Sequence, residues 1–94
     1  MRVTINDIGG TVAKEDERYV VKDNPLLNNL VVSSTRLQPR KATSGHSHPG
    51  QEEVYYFIEG IGKMELGNDT IKVQPGDVVL IEDGVFHRVH AGMH

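Results

Sequence analysis

No cysteine occurs among the 94 residues, which removes disulfides, thiolate metal sites and a cysteine nucleophile together. A cysteine-free chain survives in any redox compartment, so this absence does not locate it. Tryptophan is missing too, aromatic residues make up 5% and hydrophobic residues 37%, which argues against a deep all-helical core. No apolar run approaches the ~18–20 residues of a membrane span. No signal-peptide core follows Met1, so a soluble cytoplasmic protein is expected. Ten Lys and Arg stand against 13 Asp and Glu, a net charge of −3, and only Arg40 and Lys41 are adjacent cations. That distribution offers no groove to a nucleic acid.

Ten glycines and four prolines punctuate short apolar runs, the pattern of strands and turns. Arg2 to Ile5 alternates as a short edge strand, ended by Asn6-Asp7, and Thr11 to Ala13 resumes it. Lys14 to Arg18 reads as a solvated charged loop or one exposed helical turn. Arg18 to Lys22 and Leu30 to Leu37 read as strands, followed by a polar loop over residues 40–45. Lys63 to Leu66 and Thr70 to Val73 form a hairpin around Gly67-Asn68-Asp69. Val78-Val79-Leu80-Ile81 is a continuous apolar run, expected to be a strand covered on both sides. Val85 to His90 is the last strand. No amphipathic helix of three turns, repeat or low-complexity segment is present. Some eight to ten short strands in one domain spanning 1–94 predict an all-β fold, a sandwich such as a jelly roll or a small antiparallel β-barrel.

The chemistry concentrates in one stretch, Gly45-His46-Ser47-His48-Pro49-Gly50-Gln51-Glu52-Glu53-Val54-Tyr55-Tyr56-Phe57-Ile58-Glu59-Gly60. In an extended segment His46 and His48 share one face, with Ser47 on the other. A strand from Glu53 puts Glu53, Tyr55 and Phe57 on one side and Val54, Tyr56 and Ile58 on the other. Two imidazoles and a carboxylate converging on one point make a mixed nitrogen and oxygen metal site. His87, just past the Asp83-Gly84 turn, is the best candidate for a fourth ligand. His90 lies three residues further and points the other way along a strand, and His94 is terminal. Tyr55 and Phe57 read as core lining, Glu59 as solvated, and Arg36 as a cation for an anionic substrate if its strand register turns it inward.

Taken together, these residues resemble the two motifs of the cupin superfamily, which frame a metal site inside a small β-barrel, a double-stranded β-helix. The first motif maps onto residues 45–60, with His46, His48, Glu53 and Gly60. The second maps onto residues 76–91, with Gly76, Gly84 and His87. The family's glycine before the first His falls on Arg40, its Pro on Glu82 and its Asn on Ala91, and none of these departures removes a ligand. The resemblance implies His46, His48, Glu53 and His87 as metal ligands. Glu52 is the alternative carboxylate, but only Glu53 keeps the six-residue gap to Gly60.

What the resemblance implies about activity is broad. Four such ligands leave positions open on a six-coordinate divalent transition metal, Mn, Fe, Co, Ni, Cu or Zn. One expectation is an enzyme that oxidises, isomerises or epimerises, or decarboxylates a small polar metabolite. The alternative is a non-enzymatic module that binds a small molecule or metal. The chain stops a few residues after His87, where the family usually adds strands, so either the chain is shortened or a second subunit completes the barrel. A homodimer is expected, with Arg2 to Ile5 as the exchanged strand. Nucleic acid and membrane are not expected partners.

Overall fold

The computed structural model describes residues 1–92, and among them are eight β-strands and no helix. The antiparallel all-β class expected from the sequence is therefore what forms. His94 lies outside the described residues. The strands are β1 Thr11–Glu15, β2 Tyr19–Asn24, β3 Val32–Leu37, β4 Glu53–Tyr56, β5 Gly62–Leu66, β6 Asp69–Val73, β7 Val78–Ile81 and β8 His87–Ala91. They fall into two compact units, Met1–Gln38 and Pro39–His94.

The N-terminal unit is a three-stranded sheet in the order β1-β2-β3. Its buried anchor is Asn24, whose amide donates to the Ile8 carbonyl while its Oδ1 accepts from the Leu26 N–H at 3.0 Å. Two expectations are corrected here. Arg2 to Ile5 forms no strand, because Thr4 and Asp7 exchange backbone hydrogen bonds at 3.1 and 3.2 Å. Asp7 Oδ1 then accepts from the Gly9 N–H at 2.9 Å. Short polar side chains that bond to nearby backbone draw a segment out of sheet pairing.

The second correction concerns the charged run. Lys14 and Glu15 belong to β1, and only Asp16 to Arg18 form the turn. There the Arg18 guanidinium, hydrogen-bonded to Asp16 at 2.7 Å, holds that carboxyl down at about 2. Every residue of β1 is exposed, so no alternation of apolar and polar residues marks it in the sequence.

The C-terminal unit has two sheets, β4-β7 and β6-β5-β8, all antiparallel. Leu66 pairs with Asp69 across a two-residue loop, which fixes the hairpin register. Period-two alternation then sends Met64, Ile71, Val73 and Val89 to one face and Lys63, Lys72 and His90 to the other. Met64, fully buried, forms a core with Val73, Val79 and Ile81, onto which Tyr55, Phe57, Leu66, Ile71, Val85 and Val89 pack.

The apolar run of β7 departs from expectation. Val79 and Ile81 are buried, but Val78 is 53% and Leu80 69% exposed. Only β4 pairs with β7, and the register puts Val54 opposite Leu80 and Tyr56 opposite Val78. The outer face of this sheet is thus apolar and open. The last strand begins at His87 rather than Val85, because the Val85 N–H closes a turn onto the Glu82 carbonyl at 3.1 Å.

Gly62 pairs with both Val73 and Ala91 at the end of β5. A Cβ there would overlap the His90 carbonyl oxygen of the neighbouring backbone. Gly62→Ala is expected to destabilise the chain by about 1–3 kcal/mol, the usual range for a forced overlap in packed surroundings. Urea unfolding with an unchanged m-value would check it.

Candidate metal centre

Antiparallel pairing brings the histidines together. His46 and His87 exchange backbone hydrogen bonds, His46 N–H to the His87 carbonyl at 3.1 Å and His87 N–H to the His46 carbonyl at 2.9 Å. Directly opposed residues send their side chains to the same face. The two rings accordingly meet edge to face, with centroids 4.3 Å apart. Phe86, next to His87, lies with its ring on Gly45, next to His46, in the space a Cβ would take.

His87 is 2% exposed. Its Nδ1 is 3.0 Å from the Val85 carbonyl. That oxygen can only accept, so Nδ1 carries a proton, and in the neutral ring Nε2 carries the lone pair. Nε2 points toward Glu53 Oε2 at 2.8 Å. Glu53 is the first residue of β4, held by pairing with Ile81. The separation is that of an ion pair when the ring carries both protons; in the neutral ring with its proton on Nδ1, neither buried atom has a hydrogen-bond partner. Two desolvated acceptors this close repel unless a cation, a proton or a metal ion, joins them.

His46, Glu53 and His87 each present a ligand atom within 4.8 Å of the others. The His46 pKa is lowered, chiefly by burial and then by the neighbouring His87 and His48, against opposing pulls from Glu53 and the Ser44 backbone. Its imidazole is therefore neutral near pH 7, the form that binds a metal. His48 is placed differently. It is exposed, its ring 4.4 Å from that of His46 but 6.2 Å from that of His87, and it stands outside the three-residue cluster. Of the two adjacent carboxylates, Glu53 joins the cluster and Glu52 is exposed.

The donor set of neutral imidazole and carboxylate, with an orphaned acceptor pair, fits a divalent transition metal. Tyr55 closes one side, its ring edge-on to His87 at 5.5 Å. Burial, then the Glu53 charge, pushes its phenol up to about 12, so it stays protonated. His90 pairs with Glu65 at 2.7 Å on the opposite face of the sheet, and Glu59 is solvated. Arg36 lies exposed on β3 of the N-terminal unit. Sequence reasoning did not find the Val85 carbonyl, the Phe86 ring or the bond from Gly50 N–H to Asp83 Oδ1 at 2.7 Å. The Asp83-Gly84 pair signalled a turn, and nothing in a single sequence signals that this turn touches the Pro49-Gly50 segment.

An antiparallel two-sheet unit that brings two histidines and a glutamate to one point is a small all-β domain with a candidate metal centre. The cupin-domain family profile matches residues 33–92, and the chain belongs to that family. An uncharacterized protein of Methanocaldococcus jannaschii is 39% identical over 82 residues, 76% of this chain and 66% of its own length. Germin-like protein 1 of Brassica napus is 32% identical over 76 residues, 72% of this chain and 37% of its own. The chain thus spans just under two thirds of the first relative and little more than a third of the second.

Among solved structures, a conserved protein with a double-stranded β-helix domain from Klebsiella pneumoniae superposes with a TM-score of 0.60 at 19% identity. That match covers 96% of this chain and 70% of the other. A cupin-2 domain protein from Shewanella frigidimarina gives 0.54 at 22%, covering 88% and 69%. These likenesses show the fold, the cupin double-stranded β-helix.

The lowered pKa of His46 has a consequence for the metal-free protein. Its folded pKa lies below the unfolded value of 6.5, so the unfolded chain binds more protons on acidification. This contribution to stability is complete above pH 6.5 and shrinks as pH falls from there toward the folded pKa. The urea midpoint of chelator-treated protein should fall between pH 7.5 and 5.5, and His46→Gln should flatten that slope.

Proposed function

We propose that this cupin binds one divalent transition metal ion through His46, Glu53 and His87, with His48 as the fourth ligand, and acts there on a small polar metabolite. The observation that carries the reading is the buried pair of Glu53 Oε2 and His87 Nε2, 2.8 Å apart and without hydrogen-bond partners. Burying two acceptors face to face costs stability, and a ligated cation recovers it. A metal held by imidazole and carboxylate supplies Lewis-acid or redox activation to a ligand oxygen. This chain's residues supply the rest. The Val85 carbonyl fixes the His87 tautomer, the Tyr55 ring shields one side, and the neutral His46 is ready to coordinate.

The reaction class is oxidation, isomerisation or epimerisation, or decarboxylation of a substrate that chelates through oxygen. Family membership and the open donor set support all of these. The protein acts as a cytoplasmic homodimer, and the open apolar outer face of β4 and β7 supports association.

Elemental analysis of tag-free protein tests the metal reading. About one equivalent of Mn, Fe, Co, Ni, Cu or Zn per chain is expected, lost in both His87→Ala and Glu53→Gln. A folded wild type that takes up none of these on reconstitution would overturn it. Turnover of small hydroxy- and keto-acids by the loaded protein, abolished by His46→Ala, separates an enzyme from a binding module. Sedimentation at micromolar concentration should give twice the chain mass.

A further inference from the structure

We infer that Asp83 is a positioning residue for His48, a role that rests on the metal reading above. The other three ligands have fixed backbones. His46 and His87 are paired to each other, and Glu53 is paired to Ile81 within the β4–β7 ladder. His48 lies outside every strand and bridge. It opens a turn, closed by the Gln51 N–H to the His48 carbonyl at 3.1 Å, with Pro49 and Gly50 at its centre. Pro at the first central position and a glycine at φ +82° at the second are the requirements of a type II turn.

Pro49 has no N–H, so Gly50 carries the one donor at the centre of this turn. Asp83 Oδ1 accepts it at 2.7 Å, the short distance of a bond to an ionised carboxylate. Asp83 sits in the turn that leads into His87, which the Val85 N–H closes onto the Glu82 carbonyl. One side chain therefore ties the turn that follows His48 to the turn that precedes His87, across 33 residues. Without it, the direction of His48 relative to the other ligands is set only by a solvent-exposed turn. The effect is local, because Asp83 is exposed and belongs to neither the core cluster nor the ligand cluster.

The test is titration of the full metal-free chain with Co2+, read by visible absorbance, for wild type, Asp83→Ala, Asp83→Asn, His48→Ala and the double variant His48→Ala/Asp83→Ala. Asp83→Ala should bind Co2+ on the order of 3- to 10-fold more weakly, the scale of one hydrogen bond. Asp83→Asn, whose amide oxygen accepts the same N–H, should keep the wild-type affinity. In the His48→Ala background, Asp83→Ala should cause no further loss, since a residue that acts through His48 has nothing left to position. The Gly50 amide should exchange slowly with solvent deuterium in wild type.

An Asp83→Ala affinity equal to wild type overturns the inference while leaving the metal reading intact. An equal loss with and without His48, or an unprotected Gly50 amide, does the same. Wild type that takes up no Co2+ overturns the metal reading itself, and this role with it.

Discussion

The centre depends on the reciprocal backbone pairing of His46 with His87. Each residue gives its N–H and takes the other's carbonyl, and no regular strand supports the pair on the His46 side. This contact decides which side chains share a face, and therefore which groups can converge on an ion. The Ala42–His90 bridge and the Thr43 N–H bond to Val89 extend the same alignment, so the loop before His46 lies along β8. The Phe86 ring on Gly45 adds packing beside the two bonds. The result is a histidine pair carried by main chain, whose positions do not depend on the flexibility of long side chains.

The site runs against stability. With His87 neutral, Glu53 and His87 give up water without gaining a hydrogen bond from each other, a cost that a well-packed apolar pair would not incur. The core beside it is small: Met64, Val73, Val79 and Ile81 are its buried members. A modest core beside two desolvated acceptors leaves less stability in reserve, a cost that a bound cation would offset. Local rules of folding fail most often at such sites.

Much of this could be read in the sequence because the relevant signals are periodic. Alternation placed Glu53 with Tyr55 and Phe57, and the hairpin around Gly67 set β5 against β6. The motif spacing selected Glu53 over Glu52, and Glu53 is the carboxylate in the cluster. His48 departs because the period-two argument assumes an extended segment, whereas the chain enters the Pro49-Gly50 turn directly after it. The open face of β7 was hidden for a related reason. A continuous apolar run announces that apolar side chains point both ways, but not that both ways are covered. The bond of Asp83 to Gly50 left no trace because the partner is 33 residues away and a backbone N–H has no residue identity.

The distance along the chain between His46 and His87 also orders events in time. The β5–β6 hairpin closes over two residues, a fast local step. The histidine pair must close a loop of some 40 residues, whose entropy is lost before its two bonds form. By loop-closure entropy the His46–His87 pairing is slower to form than the hairpin, and it is expected to follow it. A contact absent from the transition state acts on the rate of escape from the native state and leaves the rate of arrival almost unchanged. An ion bound at this junction would make the chain persist longer once folded, and would do nothing to hasten it there.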